Sequence, residues 1–263
     1  MEPSICYLSD IESMENWRFT MATATLKKRP RKQKNSLPQP CEELEEDRSA
    51  SFFMPAGSMT LDDFRQWTSA DDFPENGKIA FIGKEIFIDM SAERINSHGS
   101  VKVETCTVLN NLVRKKKSGK FFFDGTRIVH PAAEISNEPD AFFATWETLK
   151  KGALRMIATS SCDDYIELEG TPDWIMEIIS PSSVTKDRKR LRRCYHLAGV
   201  PEYWLIDARG ADVEFDILIH GEGDYEPTEN INGWQMSPTF GKKFRLRRFF
   251  DPMGEPDYRL QMK

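Results

Sequence analysis

A single acid inside an otherwise apolar strand constrains this chain more than any other feature. Residues 171–180 read Thr-Pro-Asp-Trp-Ile-Met-Glu-Ile-Ile-Ser, with Glu177 set among Trp174, Ile175, Met176, Ile178 and Ile179. A short apolar run of this kind is a strand buried on both faces. Burying an unpaired charge is costly, so Glu177 requires a cation, a metal ion or its own proton. A Ser/Pro turn follows, and then a strongly basic helix: residues 186–193 carry six positive charges against one negative. A metal-binding carboxylate beside a cationic helix suits chemistry on a phosphate-rich polymer.

The bulk properties set bounds on this reading. A length of 263 residues allows one large domain or two small ones, with a sizeable core. The net charge of −6 argues against bulk non-specific binding to nucleic acid but leaves room for a local basic face. Cys6, Cys41, Cys106, Cys162 and Cys194 are scattered and never spaced as CxxC. Neither a zinc knuckle nor a disulfide framework is supported, and a reducing cytoplasm is the expected setting. No apolar run approaches the length of a membrane span, and the N-terminal basic stretch lacks the apolar core of a secretory signal.

Residues 1–57 are expected to form a disordered tail ahead of one domain, 58–263. A basic block (27–34), a proline-bearing spacer (37–40) and an acidic block (42–47) follow one another without apolar periodicity. The tail reads as a solvated segment, with a nucleic-acid-binding arm or a later start at Met14 or Met21 as alternatives. Thr60-Leu-Asp-Asp63 resembles a helix N-cap. Strands at 78–82 and 85–90 flank Gly83-Lys84, a two-residue hairpin turn. A long helix is expected over 97–117, with Val101, Thr105, Val108 and Leu112 as its inner stripe. His98 and Glu104 lie on the two flanks of that stripe, each about 60° from Val101 on the helical wheel. Further strands are expected at 121–123, 127–129, 139–144 and 201–207, a hairpin near 155–168, and an alternating strand with one wet face at 213–219. The helix over 184–198, ended by Gly199, would bring 203–206 parallel to an earlier strand. The fold class is therefore α/β with a mixed sheet.

Asp140 opens one apolar strand and Glu177 sits in another. Two carboxylates from neighbouring strands can share a hard divalent ion, with waters completing the shell. Such an ion polarises a phosphoryl oxygen and lowers the pKa of the attacking water, and a nearby lysine stabilises the developing charge. Glu104 or His98 could add an outer ligand. Each acid taken alone reads more readily as a strand-end member of a salt bridge, by about two to one. His130, His196 and His220 lack metal-ligand spacing, and Ser182-Ser183 reads as a helix cap rather than a nucleophile.

The stretch 169–183, continuing through Pro201-Glu-Tyr-Trp-Leu-Ile-Asp207, resembles the Uma-type restriction endonucleases, a branch of the PD-(D/E)XK nuclease superfamily. The likeness extends to Asn137-Glu-Pro-Asp140, the His98 helix and Met59-Thr-Leu-Asp-Asp-Phe64, and covers roughly 58–262. It implies an αβββαβ core with extra antiparallel strands and Mg²⁺- or Mn²⁺-dependent cleavage of phosphodiester bonds. The family's acids fall on Asp140, Glu177 and, from the helix, Glu104. Asp173 is a decoy, because it lies four residues from Glu177, about 13 Å along the strand. The chain departs from the superfamily at the lysine. Ile179 stands two residues after Glu177, and Leu191 stands where family members place a helix lysine. Lys186 is the remaining candidate, although an α-helical wheel sets it about 140° from Leu191. Asp187 would orient that lysine or cap the helix.

The expectation is a metal-dependent endonuclease acting on DNA. Asp140, Glu177 and Lys186 would be catalytic, with Glu104 supporting the metal and His98 and Asp187 in supporting roles. Arg188, Lys189, Arg190, Arg192 and Arg193 would contact phosphates, unless they form only a solvated face. The chain would have no membrane association, and a homodimer is left open. The rivals are a non-catalytic nucleic-acid-binding module and a regulatory interaction domain.

Overall fold

Local signals in the sequence become the first elements of the fold. The computed structural model describes residues 51–263 apart from 71–72, 75 and 159–163, so most of the expected tail lies outside the described residues. Strand β1 (Ser51–Pro55) nevertheless falls inside that expected tail, because it gains backbone partners along a neighbouring strand. Helix α1 (Leu61–Thr68) starts at a capping box: Thr60 Oγ1 accepts the Asp63 amide, and Asp63 accepts the Thr60 amide at 2.8 Å. Strands β2 (Lys78–Ile82) and β3 (Glu85–Asp89) form the expected hairpin. Gly83 and Lys84 both take positive φ, as a type I′ turn requires.

The next helix begins with a wide, π-type turn, Ile95–Ser100, in which the Gly99 amide reaches back five residues to the Arg94 carbonyl. It continues as α2 (Val101–Lys116). Val101, Thr105 and Leu112 are buried as expected, joined by Leu109, while Val108 packs at the margin. Strands β4 (Gly119–Phe123), β5 (Arg127–His130), β6 (Ile135–Asn137) and β7 (Ala141–Thr145) follow. Helix α3 (Trp146–Lys150) leads into the hairpin of β8 (Leu154–Ala158) and β9 (Tyr165–Gly170). Strand β10 (Trp174–Ile178) carries Glu177. A second π-type segment, Lys186–Leu191, runs into α4 (Arg192–Leu197), which ends at Gly199 with φ +72°. This crossover sets β11 (Glu202–Asp207) parallel to β10. Strands β12 (Glu214–His220), β13 (Tyr225–Pro227), β14 (Gln235–Ser237), β15 (Lys242–Phe250) and β16 (Pro256–Met262) complete the chain by antiparallel pairing.

Three sheets result. One has the order β1-β3-β2-β6-β5-β9-β8, the central one β13-β12-β11-β10-β7-β4, and the third β14-β15-β16. Side-chain alternation along β10 divides the core. Ile175 and Ile179 pack with Leu191, Tyr195 and Tyr203 and with residues of the seven-stranded sheet such as Ile82 and Phe87. Trp174, Met176 and Ile178 pack on the other face with Val101, Leu109, Phe244 and Leu260. Glu177 shares the parity of Ile175 and Ile179, so it enters the core on the α4 side. The wet face expected of β12 is half covered, since Leu218 packs on one side while Phe215 and Ile217 pack on the other. Among the described residues no helix is long and apolar enough to cross a membrane.

Candidate active site

The strand register brings the two acids together. In the antiparallel β7–β10 pair, Met176 faces Ala141 and Ile175 faces Phe142, so the ladder ends with Glu177 next on β10 and Asp140 just before β7. The ladder is tied at this end by Asp140 itself, whose Oδ2 accepts the Ile178 amide at 2.7 Å. Asp140 is 4% exposed and Glu177 2%, so neither charge can be screened by bulk water.

Different partners hold the two carboxylates. Glu177 Oε1 accepts from the Tyr195 hydroxyl at 2.6 Å and from Asn137 Nδ2 at 3.1 Å, and the Tyr195 hydroxyl accepts from the same amide at 2.8 Å. Asp140 faces cations: His98 Nε2 at 3.3 Å, Lys102 Nζ at 3.1 Å and Lys78 Nζ at 3.8 Å. His98 Nδ1 is fixed in turn by Glu93 at 2.7 Å, and Lys102 bridges Glu93 at 3.0 Å. The opening of α2 as a π-type turn delivers His98 to this place, and Lys102 follows one turn later.

Lys186 and Asp187 close the site from the second π-type segment. Both are buried, and Lys186 Nζ lies 3.2 Å from Asp187 Oδ1 and 5.3 Å from the centre of the Phe87 ring. The Ser183 hydroxyl donates to Asp187 and accepts the Ser180 amide, which fixes the turn. Lys186 is inward because the segment is not an α-helix. Widening the turn to roughly 4.4 residues swings a side chain five positions before Leu191 back onto the Leu191 face.

Surroundings drive the two acids apart electrostatically. Burial alone would raise Asp140, but the hydrogen bond and charge of His98, with Lys78 and Lys102, hold it well below the usual carboxylate range. Glu177 is pushed up to about 8, first by burial and then by the charges of Asp187 and Asp140, against the opposing pull of Lys186 and Tyr195. Burial also raises Asp187. The ammonium of Lys186 is held charged by Asp187, Glu177 and Asp140 in spite of its burial. His98 is likewise raised, because its bond to Asp140 outweighs burial. The arrangement is an ionised carboxylate near one whose proton is held more tightly than usual.

The positive charge at Asp140 is supplied by His98, Lys102 and Lys78. Among the described residues no group of three or more His, Cys, Asp or Glu could form a protein cage for a metal. A magnesium ion does not need one, since it keeps several waters and takes one or two carboxylates. Asp140 and Glu177 are the two buried carboxylates that could hold such an ion, with Lys78, Lys102 and His98 as its competitors at Asp140.

Other expected residues fall elsewhere. Glu104 is not at this site: its carboxylate accepts the Leu260 amide of β16 at 2.9 Å. It and His98 occupy opposite flanks of Val101, and only the His98 flank meets Asp140. Arg188 pairs with Asp207 at 3.0 Å and with Glu214, Arg190 with Glu85, and Arg192 with Asp224 at 3.0 Å. These three arginines tie the basic helix to β3, β11, β12 and the turn before β13, while Lys189 and Arg193 remain exposed. Asp173, the decoy, accepts the Thr145 amide at 2.7 Å and the Thr148 hydroxyl at 2.9 Å, which anchors the start of α3. Sequence reasoning missed Glu93, Lys102, Asn137 and Tyr195 as members of the site. For Lys102 the signal was its i+4 spacing from His98, and for Tyr195 its place on the inner stripe of the basic helix.

The sequence model of the Uma2 family, "Putative restriction endonuclease", matches residues 61–247. Among solved structures, a putative nuclease belonging to DUF820 from Anabaena variabilis ATCC 29413 matches with a TM-score of 0.51 at 22% identity. The match covers 70% of this chain and 91% of that one. Comparison with curated proteins gives no match. The chain belongs to the Uma2 family.

Proposed function

We propose that this protein is a Mg²⁺-dependent endonuclease that hydrolyses phosphodiester bonds in DNA, with Asp140, Glu177 and Lys186 as its catalytic residues. The observation that carries the reading is the convergence of two buried carboxylates at one end of the β7–β10 ladder, with a buried ammonium beside them. Asp140 and Glu177 would hold the ion, which when bound supplies Lewis acidity toward a phosphoryl oxygen and a more acidic water. Tyr195 and Asn137 hold Glu177 by one oxygen, Oε1, and so fix the direction of the other. His98, braced by Glu93, orients Asp140 and keeps it ionised. Lys186 stands where its ammonium can stabilise charge developing on a transferred phosphoryl group.

The test is hydrolysis of plasmid DNA and of the small diester bis(4-nitrophenyl) phosphate, with and without Mg²⁺. Wild type should act on both only with the ion, and Asp140→Ala and Glu177→Ala should lose both activities. Equal rates in all three proteins would overturn the assignment. A second reading, a non-catalytic nucleic-acid-binding module, is favoured by the buried Ile179 where the superfamily places its lysine. That reading predicts salt-sensitive binding without metal-dependent turnover.

A further inference from the structure

Three carboxylates from separate segments converge on one buried ammonium beside the acid pair. Lys102 Nζ lies 3.0 Å from Glu93 Oε1, 3.1 Å from Asp140 Oδ1 and 3.5 Å from Asp124 Oδ2. Each acid is set in place by a contact other than the lysine. The Asp124 amide donates to the Asp140 carbonyl at 3.4 Å, which ties the turn after β4 to the residue ahead of β7. Glu93 is bound to His98 Nδ1 at 2.7 Å. Asp140 accepts the Ile178 amide through Oδ2, and it is Oδ1 that faces Lys102.

Three acids are more than one ammonium needs. Burial disfavours the charge of Lys102, but Asp140, Asp124 and Glu93 outweigh it and hold the ammonium above the usual lysine range. Asp124 has no other ion pair among the described residues. Lys78 reaches only Asp140, at 3.8 Å, from a half-exposed position. Carboxylate oxygens from three segments around one point charge form the kind of shell a hard divalent cation takes, and a compact ammonium stands in the ion's place. The oxygens sit at ammonium distance, in keeping with the absence, among the described residues, of a group of three acids that could hold a metal. A hard ion needs about 2.0–2.6 Å. The Glu93 and Asp124 side chains are 38% and 54% exposed, so they have room to close that margin when the lysine is removed.

We infer that Lys102 is a resident cation: its ammonium fills a seat formed by Glu93, Asp124 and Asp140 that would otherwise take a divalent ion, and it supplies permanently the charge that a second ion would bring. The seat stands on its own geometry. That a first ion binds between Asp140 and Glu177 rests on the proposed function, in which Lys102 is a positioning residue acting through Asp140.

The experiment counts Mn²⁺ bound per chain from the electron paramagnetic resonance signal of the free ion. The full chain is titrated into the millimolar range, because a weak carboxylate site has a Kd on the order of 10⁻⁴–10⁻³ M. Lys102→Ala should bind one ion more than wild type. Lys102→Arg, which keeps the charge, should bind no more than wild type, and Lys102→Ala combined with Asp124→Asn should lose the added ion. Thermal melts give a second readout: Mn²⁺ should raise the Tm of Lys102→Ala above any effect on wild type, and Na⁺ at equal ionic strength should not. If Lys102→Ala is unfolded in EDTA, refolding by Mn²⁺ supports the inference and failure to refold counts against it. Equal ion counts in wild type and Lys102→Ala would overturn it, as would an added ion that survives Asp124→Asn or that also appears in Lys102→Arg. A wild type that binds no ion, beside a Lys102→Ala protein that binds one removable by Asp124→Asn, would sink the proposed metal dependence and leave the inference about Lys102 standing.

Discussion

Replacing Glu177 by glutamine should make the protein more stable at alkaline pH while leaving it nearly unchanged in mild acid. Glu177 is buried, and its carboxyl is pushed up to about 8 from an ordinary value of 4.5. The folded state therefore binds this proton more tightly than the unfolded chain does. Stability from that proton is fully present below about pH 4.5 and is lost as pH rises to about 8, above which the loss is complete. Each tenfold gain in proton affinity corresponds to about 1.4 kcal/mol, so the loss is on the order of 3–5 kcal/mol. Glutamine keeps the shape and neutrality of the protonated acid and cannot titrate. Urea denaturation of wild type and Glu177→Gln, run in parallel from pH 5 to 9, isolates the contribution of this proton, because every other titrating group is common to both. The difference in unfolding free energy should grow in favour of the variant up to about pH 8 and then level off. Saturating Mg²⁺ at high pH should recover stability in wild type, by about 2.7 kcal/mol at a hundred times its Kd, and recover little in the variant. A difference that stays flat across the pH range would refute the electrostatic account of Glu177.

Three further expectations are independent of that one. Tyr195→Phe removes the hydroxyl that bonds Glu177 at 2.6 Å. It should cost about 1–2 kcal/mol in denaturant unfolding and move the activity profile to higher pH, since the acid loses a bond to its charged form. His98 has its pKa raised by Asp140, so its stabilising effect is full below the unfolded histidine value and is lost as pH rises through the folded one. In thermal melts the deficit of His98→Gln should therefore be largest in mild acid and shrink toward alkaline pH. Trp174 is fully buried between Phe121, Trp204 and Phe240. Trp174→Ala should lower unfolding free energy by about 3–5 kcal/mol.

Where the chain follows regular periodicities, the sequence reveals them. The capping box at Thr60, the turn at Gly83-Lys84, the Glu177 strand and the crossover to β11 all rest on local chemistry within a few residues. Asp140 and Glu177 could be named because an acid in a doubly buried strand has few explanations. Their convergence at one end of the β7–β10 ladder could not, since it depends on a strand register that no local signal sets. Two wide helical turns account for most of the difference between expectation and structure. An α-helical wheel misplaces Lys186 because residues 186–191 wind more loosely, and it gives no reason to choose His98 over Glu104. Asn137 and Lys102 join the site through partners far along the chain, Glu177 and Asp140, and Glu93 joins it through His98 and Lys102, which only the fold brings to Asp140. Strand β1 carries no local signal of its own, because its order comes from pairing with β3.

The central claim is that Asp140 and Glu177 share one divalent ion at the end of the β7–β10 ladder. Diffraction from crystals soaked in Mn²⁺, recorded at the manganese absorption edge, tests it most directly. The account predicts one anomalous peak in contact with both carboxylates, with the Lys186 ammonium beside it, and no such peak in Glu177→Gln. A peak bound elsewhere, or density at Asp140 that persists unchanged without the Glu177 carboxylate, would contradict it.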